Sequence, residues 1–149
     1  MFIKDHKKTA LVNGDEKISY ERLIYEIKKY STIFEDITGK RVAICFENRP
    51  EWVYSFFAGW NRGAINVLID MMSIADEIRY ILEDCKPAIV FISNKTQNVF
   101  YSILPSLSYT PKLINVDNLN LSEKIYEGVE HSPKNDEVVL MLYTSGTTG

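Results

Sequence analysis

The chain has 149 residues, of which 46% are apolar and 25% are charged, and its formal net charge is −3. These values fit one globular domain with a buried core, and the slightly acidic balance argues against a nucleic-acid surface, where a basic face is expected. The longest apolar helical stretch, "WVYSFFAGW", has nine residues, whereas a membrane span needs about 20. Neither nucleic acid nor a membrane span is therefore predicted.

The chain has two cysteines, Cys45 and Cys85, which are too few for a disulfide framework and do not form a CxxC pair. We expect both to be buried free thiols, as is typical of a reducing cytoplasm. The first ten residues lack the apolar core of a secretory signal, so a cytoplasmic location is expected.

The amino-terminal part predicts a small β-hairpin followed by a helix. "TALV" and "KISY" flank "NGDE", in which Asn13 and Gly14 favour the positive φ angles of a tight turn. Ser19 can cap a helix over 20–34. The apolar face of this helix is formed by Leu23, Ile27, Tyr30 and Phe34.

Apolar runs then alternate with segments of helical period. Strands are predicted at "RVAICF", "AINVLI", "AIVFI", "KLINV" and "VVLMLY". Between them, one helix is predicted to start at Pro50, a second at the capping-box-like Ser73 and Asp76, and a weaker one over 98–104. We interpret the stripe on the Pro50 helix as core packing; its residues are Trp52, Phe56 and Trp60.

This alternation predicts βαβ units and an α/β fold. We expect a mostly parallel sheet of about five strands with flanking helices and a small N-terminal hairpin. The segment 117–137 is polar and contains Gly128 and Pro133, so it is expected to be irregular.

The last strand is followed by a loop of suitable composition for holding phosphate: Thr144, Ser145, Gly146, Thr147, Thr148 and Gly149. Glycine lets the backbone approach an anion closely, successive N–H groups form an anion-binding nest, and the hydroxyls add rotatable donors. Composition alone also fits an ordinary turn. The sequence has neither GxGxxG nor GxxxxGK[ST].

"LYTSGTTG" also resembles the signature loop of the AMP-forming acyl-adenylate enzymes. That superfamily includes acyl-CoA synthetases, nonribosomal peptide synthetase adenylation domains and firefly luciferases. In the family, Pro-Lys-Gly usually follows the loop and an acidic residue precedes it, as Asp136 and Glu137 do here. Three further segments resemble the family in the same order: "TALVNGDEKISYERL", "GKRVAICFENRPEWVYSFFAGWNRGAINVLID" and "ADEIRYILEDCKPAIVFIS". "VLIDMM" departs from the family's usual proline-containing strand end.

The resemblance implies the fold of the family's large domain, of which 1–149 is expected to be the N-terminal part, ending within the phosphate-binding loop. It implies that Thr144, Ser145, Gly146, Thr147, Thr148 and Gly149 contact the β- and γ-phosphates of ATP. The implied reaction is attack of a carboxylate on the α-phosphorus, which gives an acyl-adenylate and pyrophosphate. Mg²⁺ would neutralise the polyphosphate, and coenzyme A would accept the acyl group, as in fatty acid metabolism.

The isolated 149 residues are expected to be inactive, because the family's motif lysine and its later binding segments are not among them. No catalytic or metal-binding residue is predicted, since His6 and His131 are isolated in polar contexts. Two alternatives stay open. One is part of an amino-acid-activating adenylation domain. The other is a non-catalytic α/β association module that self-associates through exposed sheet edges.

Overall fold

A computed structural model describes residues 7–144. Its strands are β1 Thr9–Asn13, β2 Glu16–Ser19, β3 Arg41–Cys45, β4 Ile65–Leu68, β5 Ile89–Ile92, β6 Lys112–Asn115 and β7 Leu140–Leu142. Its α-helices are α1 Tyr20–Ser31, α2 Pro50–Asn61, α3 Ala75–Cys85 and α4 Gln97–Ile103, with short 3₁₀ turns at Leu104–Ser106 and Val116–Asn118. None of the helices within 7–144 is both long enough and apolar enough to cross a membrane.

Five strands form one parallel sheet in the order β6-β5-β3-β4-β7, and β1 and β2 form a separate antiparallel hairpin. This confirms the predicted α/β architecture and its hairpin. In the hairpin, Asn13 pairs with Glu16, and Gly14 takes a φ of 60°. Asn13 does not have the positive φ that was predicted for it. Gly14 is the turn residue with the left-handed backbone conformation, which glycine adopts more easily than residues with a side chain.

Helices cover both faces of the sheet. Because successive strand residues point to opposite faces, Val42 and Ile44 pack with α1 and α2, while Ala43 and Cys45 pack with α3 and α4. Cys45 and Cys85 are both buried free thiols, as predicted. Burial also raises the pKa of the Cys45 thiol to about 12, so this group stays protonated at neutral pH.

The helix starts follow local rules with two corrections. Ser19 accepts a hydrogen bond from the backbone N–H of Arg22, so the predicted cap of α1 is confirmed. The cap predicted at Ser73 and Asp76 is wrong by one residue, because the backbone N–H of Ile74 donates instead to Glu77. The spacing of Ile74, Ile78 and Ile81 predicts that all three lie on the apolar face of α3. Ile74 is instead 64% exposed, whereas the other two are buried.

The interpretation of the α2 aromatic stripe as core packing holds in part. The buried side of α2 is formed by smaller residues and one tyrosine: Tyr54, Ser55, Ala58 and Gly59. Trp52, Phe56 and Trp60 are only partly buried, and the rings of Trp52 and Phe56 stack with centroids 5.6 Å apart. Trp52 and Phe56 nevertheless pack against the hydrophobic core on this side of the sheet. The stripe therefore borders the core, while the small residues of α2 occupy its centre.

The described segment 119–139 is irregular, as predicted, and carries the chain from β6 at one edge of the sheet to β7 at the other. It is held along α1 and α2. Glu123 accepts hydrogen bonds from Tyr25 at 2.6 Å and Lys29 at 3.2 Å, and the backbone N–H of His131 donates to Asn61. These contacts hold the segment against the two helices on its way to β7.

Candidate functional site

The phosphate-loop sequence leaves the sheet at the carboxyl end of β7. That strand pairs in parallel with β4, so that Leu140 lies opposite Asn66 and Leu142 opposite Leu68. Of the six predicted site residues, Thr144 is described and is exposed to solvent. The other five, Ser145, Gly146, Thr147, Thr148 and Gly149, lie outside the described residues, and their role as phosphate ligands stays a prediction.

The carboxyl edge is where a sheet of this kind binds ligands. In open α/β sheets, ligands bind outside the carboxyl ends of the strands, at the point where the strand order reverses. Here the chain passes from β3 to β4 on one side, then returns past β3 to β5. The reversal lies between β3 and β5, two strands away from β7.

Side chains of the protein itself fill the crevice between β3 and β5. Ser93 donates to a carboxylate oxygen of Glu47 at 2.7 Å, and Lys95 lies 3.5 Å from the same carboxylate. Thr96 donates to the backbone carbonyl of Cys45 at 2.9 Å. These bonds join the two strand ends, so this part of the edge is a structural junction.

A second polar cluster extends this junction to the end of β6. Asp117 accepts from Arg49 at 2.5 Å and from the backbone N–H of Asn94 at 2.7 Å. Arg49 also donates to Glu51 at 2.7 Å. The Asn94 hydrogen bond and the Arg49 guanidinium lower the pKa of Asp117, which keeps it ionised. This cluster was not predicted from the sequence. The available signal was that Asn94 and Asp117 each lie two residues after the end of a strand.

Tyr143 lines two clefts, and Thr144 lines the second of them. One, of about 370 Å³, has both polar and apolar walls and is lined by Phe46, Asn48, Trp52, Leu68, Ile69, Asp70, Met71, Leu142 and Tyr143. The other, of about 570 Å³, is lined by Asp70, Ser73, Asp76, Glu77, Tyr80, Ile81, Tyr143 and Thr144. Three carboxylates make the second cleft unfavourable for a bare polyphosphate, whereas the first presents a single carboxylate and an aromatic wall.

Of the two acidic residues before β7, Asp136 and Glu137, the second contacts a histidine side chain. Glu137 lies 2.6 Å from the Nε2 atom of His131, and it also accepts from the backbone N–H of Lys134. The Lys134 hydrogen bond, followed by the contact with His131, lowers the pKa of Glu137. His131 is therefore a half-buried member of this turn and not an isolated surface histidine. Within 7–144, no group of three or more His, Cys, Asp or Glu side chains is placed to hold a metal ion.

Comparisons with known proteins agree with this architecture. The family model described as AMP-binding enzyme matches residues 4–149. Bacitracin synthase 3 of Bacillus licheniformis is 26% identical over 149 residues, which cover 98% of this chain and 2% of that protein. The mitochondrial malonate–CoA ligase of Xenopus laevis is 26% identical over 156 residues, covering 96% of this chain and 27% of that protein.

Among solved structures, the anthranilate CoA ligase AuaEII in complex with anthranoyl-AMP has a TM-score of 0.82. Its sequence is 22% identical, and the match covers 97% of this chain and 30% of that one. The present chain thus spans less than a third of each of these three proteins. The match of the family model over nearly the whole chain, on a parallel sheet whose last strand leads into the loop, shows that this chain belongs to the AMP-binding enzyme family.

Proposed function

We propose that residues 1–149 form the N-terminal part of the large domain of an ATP-dependent, AMP-forming acid–thiol ligase. The observation that carries this proposal is the position of Thr144 at the carboxyl end of β7, where the hydroxyl- and glycine-rich sequence leaves a parallel sheet. Ligands of such sheets bind at that edge. Family membership and the fold shared with a CoA ligase support the same reading.

In this proposal the chain's own contribution is to bind and orient polyphosphate. Thr144 to Gly149 would offer backbone N–H groups and hydroxyls to the β- and γ-phosphates of ATP, with Mg²⁺ entering as part of the MgATP substrate. Donors that are positioned before reaction stabilise the charge that develops on the leaving pyrophosphate. A carboxylic acid would be the second substrate and coenzyme A the thiol acceptor, with a fatty acid as one candidate acid.

The compartment we propose is the cytoplasm, which the two buried free thiols support.

An amino-acid-activating adenylation domain is the alternative for the whole protein, and the likeness to bacitracin synthase 3 supports it. Both alternatives use the same ATP chemistry, so they share the phosphate loop and differ in the acid and in the thiol that accepts it.

The loop assignment predicts specific binding of Mg·pyrophosphate. In a titration followed by amide NMR, the resonances of Thr144 to Gly149 should shift first and saturably. Gly146→Val and Thr147→Ala should each weaken binding roughly tenfold, since a hydrogen bond to a charged group is worth about 1.5 kcal/mol.

The matched control is Ser102→Ala, which removes a hydroxyl on α4 that donates only to the nearby carbonyl of Val99. It should bind like the wild type. Saturable shifts confined to other parts of the chain, or equal affinity in all variants, would contradict the assignment.

In an ATP–pyrophosphate exchange assay, the 149 residues alone should give background; robust exchange would refute the expected inactivity.

We also propose a second role, self-association, which one of the two edges of the sheet favours. The edge strand β6 begins after Pro111 with Lys112, residues that discourage strand pairing. The β7 edge has no such protection, and Val138, Leu140 and Leu142 are 56%, 37% and 63% exposed. Antiparallel pairing of β7 with β7 of a second copy would bring these side chains together on one face.

This role predicts a concentration-dependent dimer in size exclusion with light scattering. Leu142→Lys should shift the chain to monomer, because it places like charges at the paired edge. Tyr101→Lys, at a 55% exposed position on α4, should leave the dimer unchanged. A wild-type monomer at the highest soluble concentration would exclude this role.

A further inference from the structure

The backbone that leads into Thr144 has few restraints from the sheet. Strand β7 has three residues and pairs with β4 along one edge. Leu140 and Leu142 on one side of it are exposed, while Met141 and Tyr143 pack on the α3/α4 side. Any additional bond at Tyr143 therefore has a large influence on where the loop sequence starts.

Tyr143 has such a bond. Its hydroxyl donates to Oδ2 of Asp84 at 2.5 Å, and its ring shares a cleft with Tyr80 and Ile81 one turn earlier on α3. Burial, together with the bond to Asp84, raises the pKa of Tyr143, so the hydroxyl remains a donor at all physiological pH values. The contact joins residues 59 positions apart in the sequence.

Asp84 is poorly placed for the stability of its own helix. It lies in the last turn of α3, where the negative end of the helix dipole disfavours a carboxylate, and that turn holds a second acid, Glu83. Both carboxylates accept hydrogen bonds from residues outside the helix. Glu83 accepts from the hydroxyl of Ser108 at 2.6 Å, and Asp84 accepts from the hydroxyl of Tyr143. Tertiary contacts therefore account for this unusual helix end.

We propose that Asp84 is a positioning residue for the phosphate loop. By accepting the Tyr143 hydroxyl, it holds the backbone of Tyr143 and Thr144 against α3, so that the loop starts from a fixed point beside β4. A loop that is held before its ligand arrives loses less entropy on binding. The inference rests on the proposed function, since it assigns Asp84 a part in the same phosphate-binding site.

The chain offers a matched control for this contact. Tyr25 on α1 donates to Glu123 at 2.6 Å, which is the same tyrosine–carboxylate chemistry over a similar distance. Glu123 lies in the segment between β6 and β7, away from the two clefts that flank Tyr143. Removing either hydroxyl deletes a bond to a carboxylate. The Tyr143 hydroxyl also contacts the Cys85 thiol, so the Asp84 variants isolate the part of the effect that belongs to the carboxylate. The Tyr25 variant leaves the residues before the loop unchanged.

The test compares Tyr143→Phe, Asp84→Ala and Asp84→Asn with Tyr25→Phe in the whole chain. The two readouts are Mg·pyrophosphate affinity by NMR titration and hydrogen exchange of the amides that follow β7. Tyr143→Phe and Asp84→Ala should weaken affinity roughly tenfold, the factor expected when one bond of about 1.4 kcal/mol is lost, and should speed exchange by a similar factor. Asp84→Asn keeps an acceptor oxygen and should restore both values, while Tyr25→Phe should change neither.

The outcomes separate the two proposals. If the wild type binds pyrophosphate and Tyr143→Phe and Asp84→Ala bind equally well, the positioning role is overturned. Faster exchange in these two variants with no binding by the wild type would support positioning and overturn the phosphate-binding function. If Tyr143→Phe and Tyr25→Phe show the same exchange, the Tyr143 bond is an ordinary stabilising contact and the inference is wrong.

Discussion

Replacing Phe91 by alanine is expected to lower the free energy of unfolding by about 3–5 kcal/mol, the largest effect that we predict. Phe91 lies in β5, is 0% exposed, and packs edge-to-face on Phe34 with ring centroids 5.9 Å apart. Alanine would remove the ring and leave a cavity between the sheet and α1, because the strand backbone is held by neighbours on both sides.

Urea unfolding measures this effect as a lower midpoint at an unchanged slope. The control is Tyr101→Ala, which removes a 55% exposed ring from α4 and should stay within about 0.5 kcal/mol of the wild type. Equal losses in the two variants would mean that the face between the sheet and α1 is not the core of this protein.

The second large effect is at Gly59. Its substitution by alanine should lower the free energy of unfolding in the wild type and raise it when Asn66 is also alanine. A Cβ built on Gly59 would lie 2.7 Å from Oδ1 of Asn66, a contact that real structures do not show. Asn66 is fully buried in β4 and its side-chain amide donates to the carbonyl of Phe56 at 3.2 Å, so it cannot move aside. Gly59→Ala should therefore destabilise the chain by about 1–3 kcal/mol, the usual cost of overpacking.

The same substitution should become favourable once Asn66 is also alanine. Without the clash, alanine in a helix is about 0.5–1 kcal/mol better than glycine. Oδ1 of Asn66 finds no hydrogen-bond partner within the described part of the chain, so removing it costs little further. A double-mutant cycle measures the coupling; the same loss for Gly59→Ala in both backgrounds would disprove the close approach of α2 to β4.

The Gly59 prediction depends on a feature that sequence patterns describe poorly, the side on which a helix is buried. The aromatic residues of α2 have the right spacing for a core stripe, and hydrophobicity favours burying them. The structure instead buries Ser55, Ala58 and Gly59. Small residues allow α2 to approach β4 closely, and the aromatic rings are left partly buried at the border of the core. Periodicity identifies the helix, but it does not say which face meets the sheet.

For the candidate site, too, the sequence predicted one part and left the rest to the tertiary structure. The loop sequence was recognisable from its letters, and the strand that precedes it was predicted correctly. The place of that strand at one edge of the sheet was not predicted. Its surroundings were not predicted. Arg49 and Asp117 are 68 positions apart, and Tyr143 and Asp84 are 59 apart. No local pattern pairs such residues, because their proximity arises from the order of the strands in the sheet.

The sequence by itself determined the elements of this protein: the hairpin at Gly14, the cap at Ser19, the helix start at Pro50, and the alternation that requires a parallel sheet. These depend on backbone preferences and on contacts between residues a few positions apart, which the letters display directly. The tertiary structure alone decided which edge strand is unprotected, which face of α2 is buried, and which carboxylate holds Tyr143. Those outcomes depend on the crossover from β4 back past β3 to β5, which places distant segments side by side.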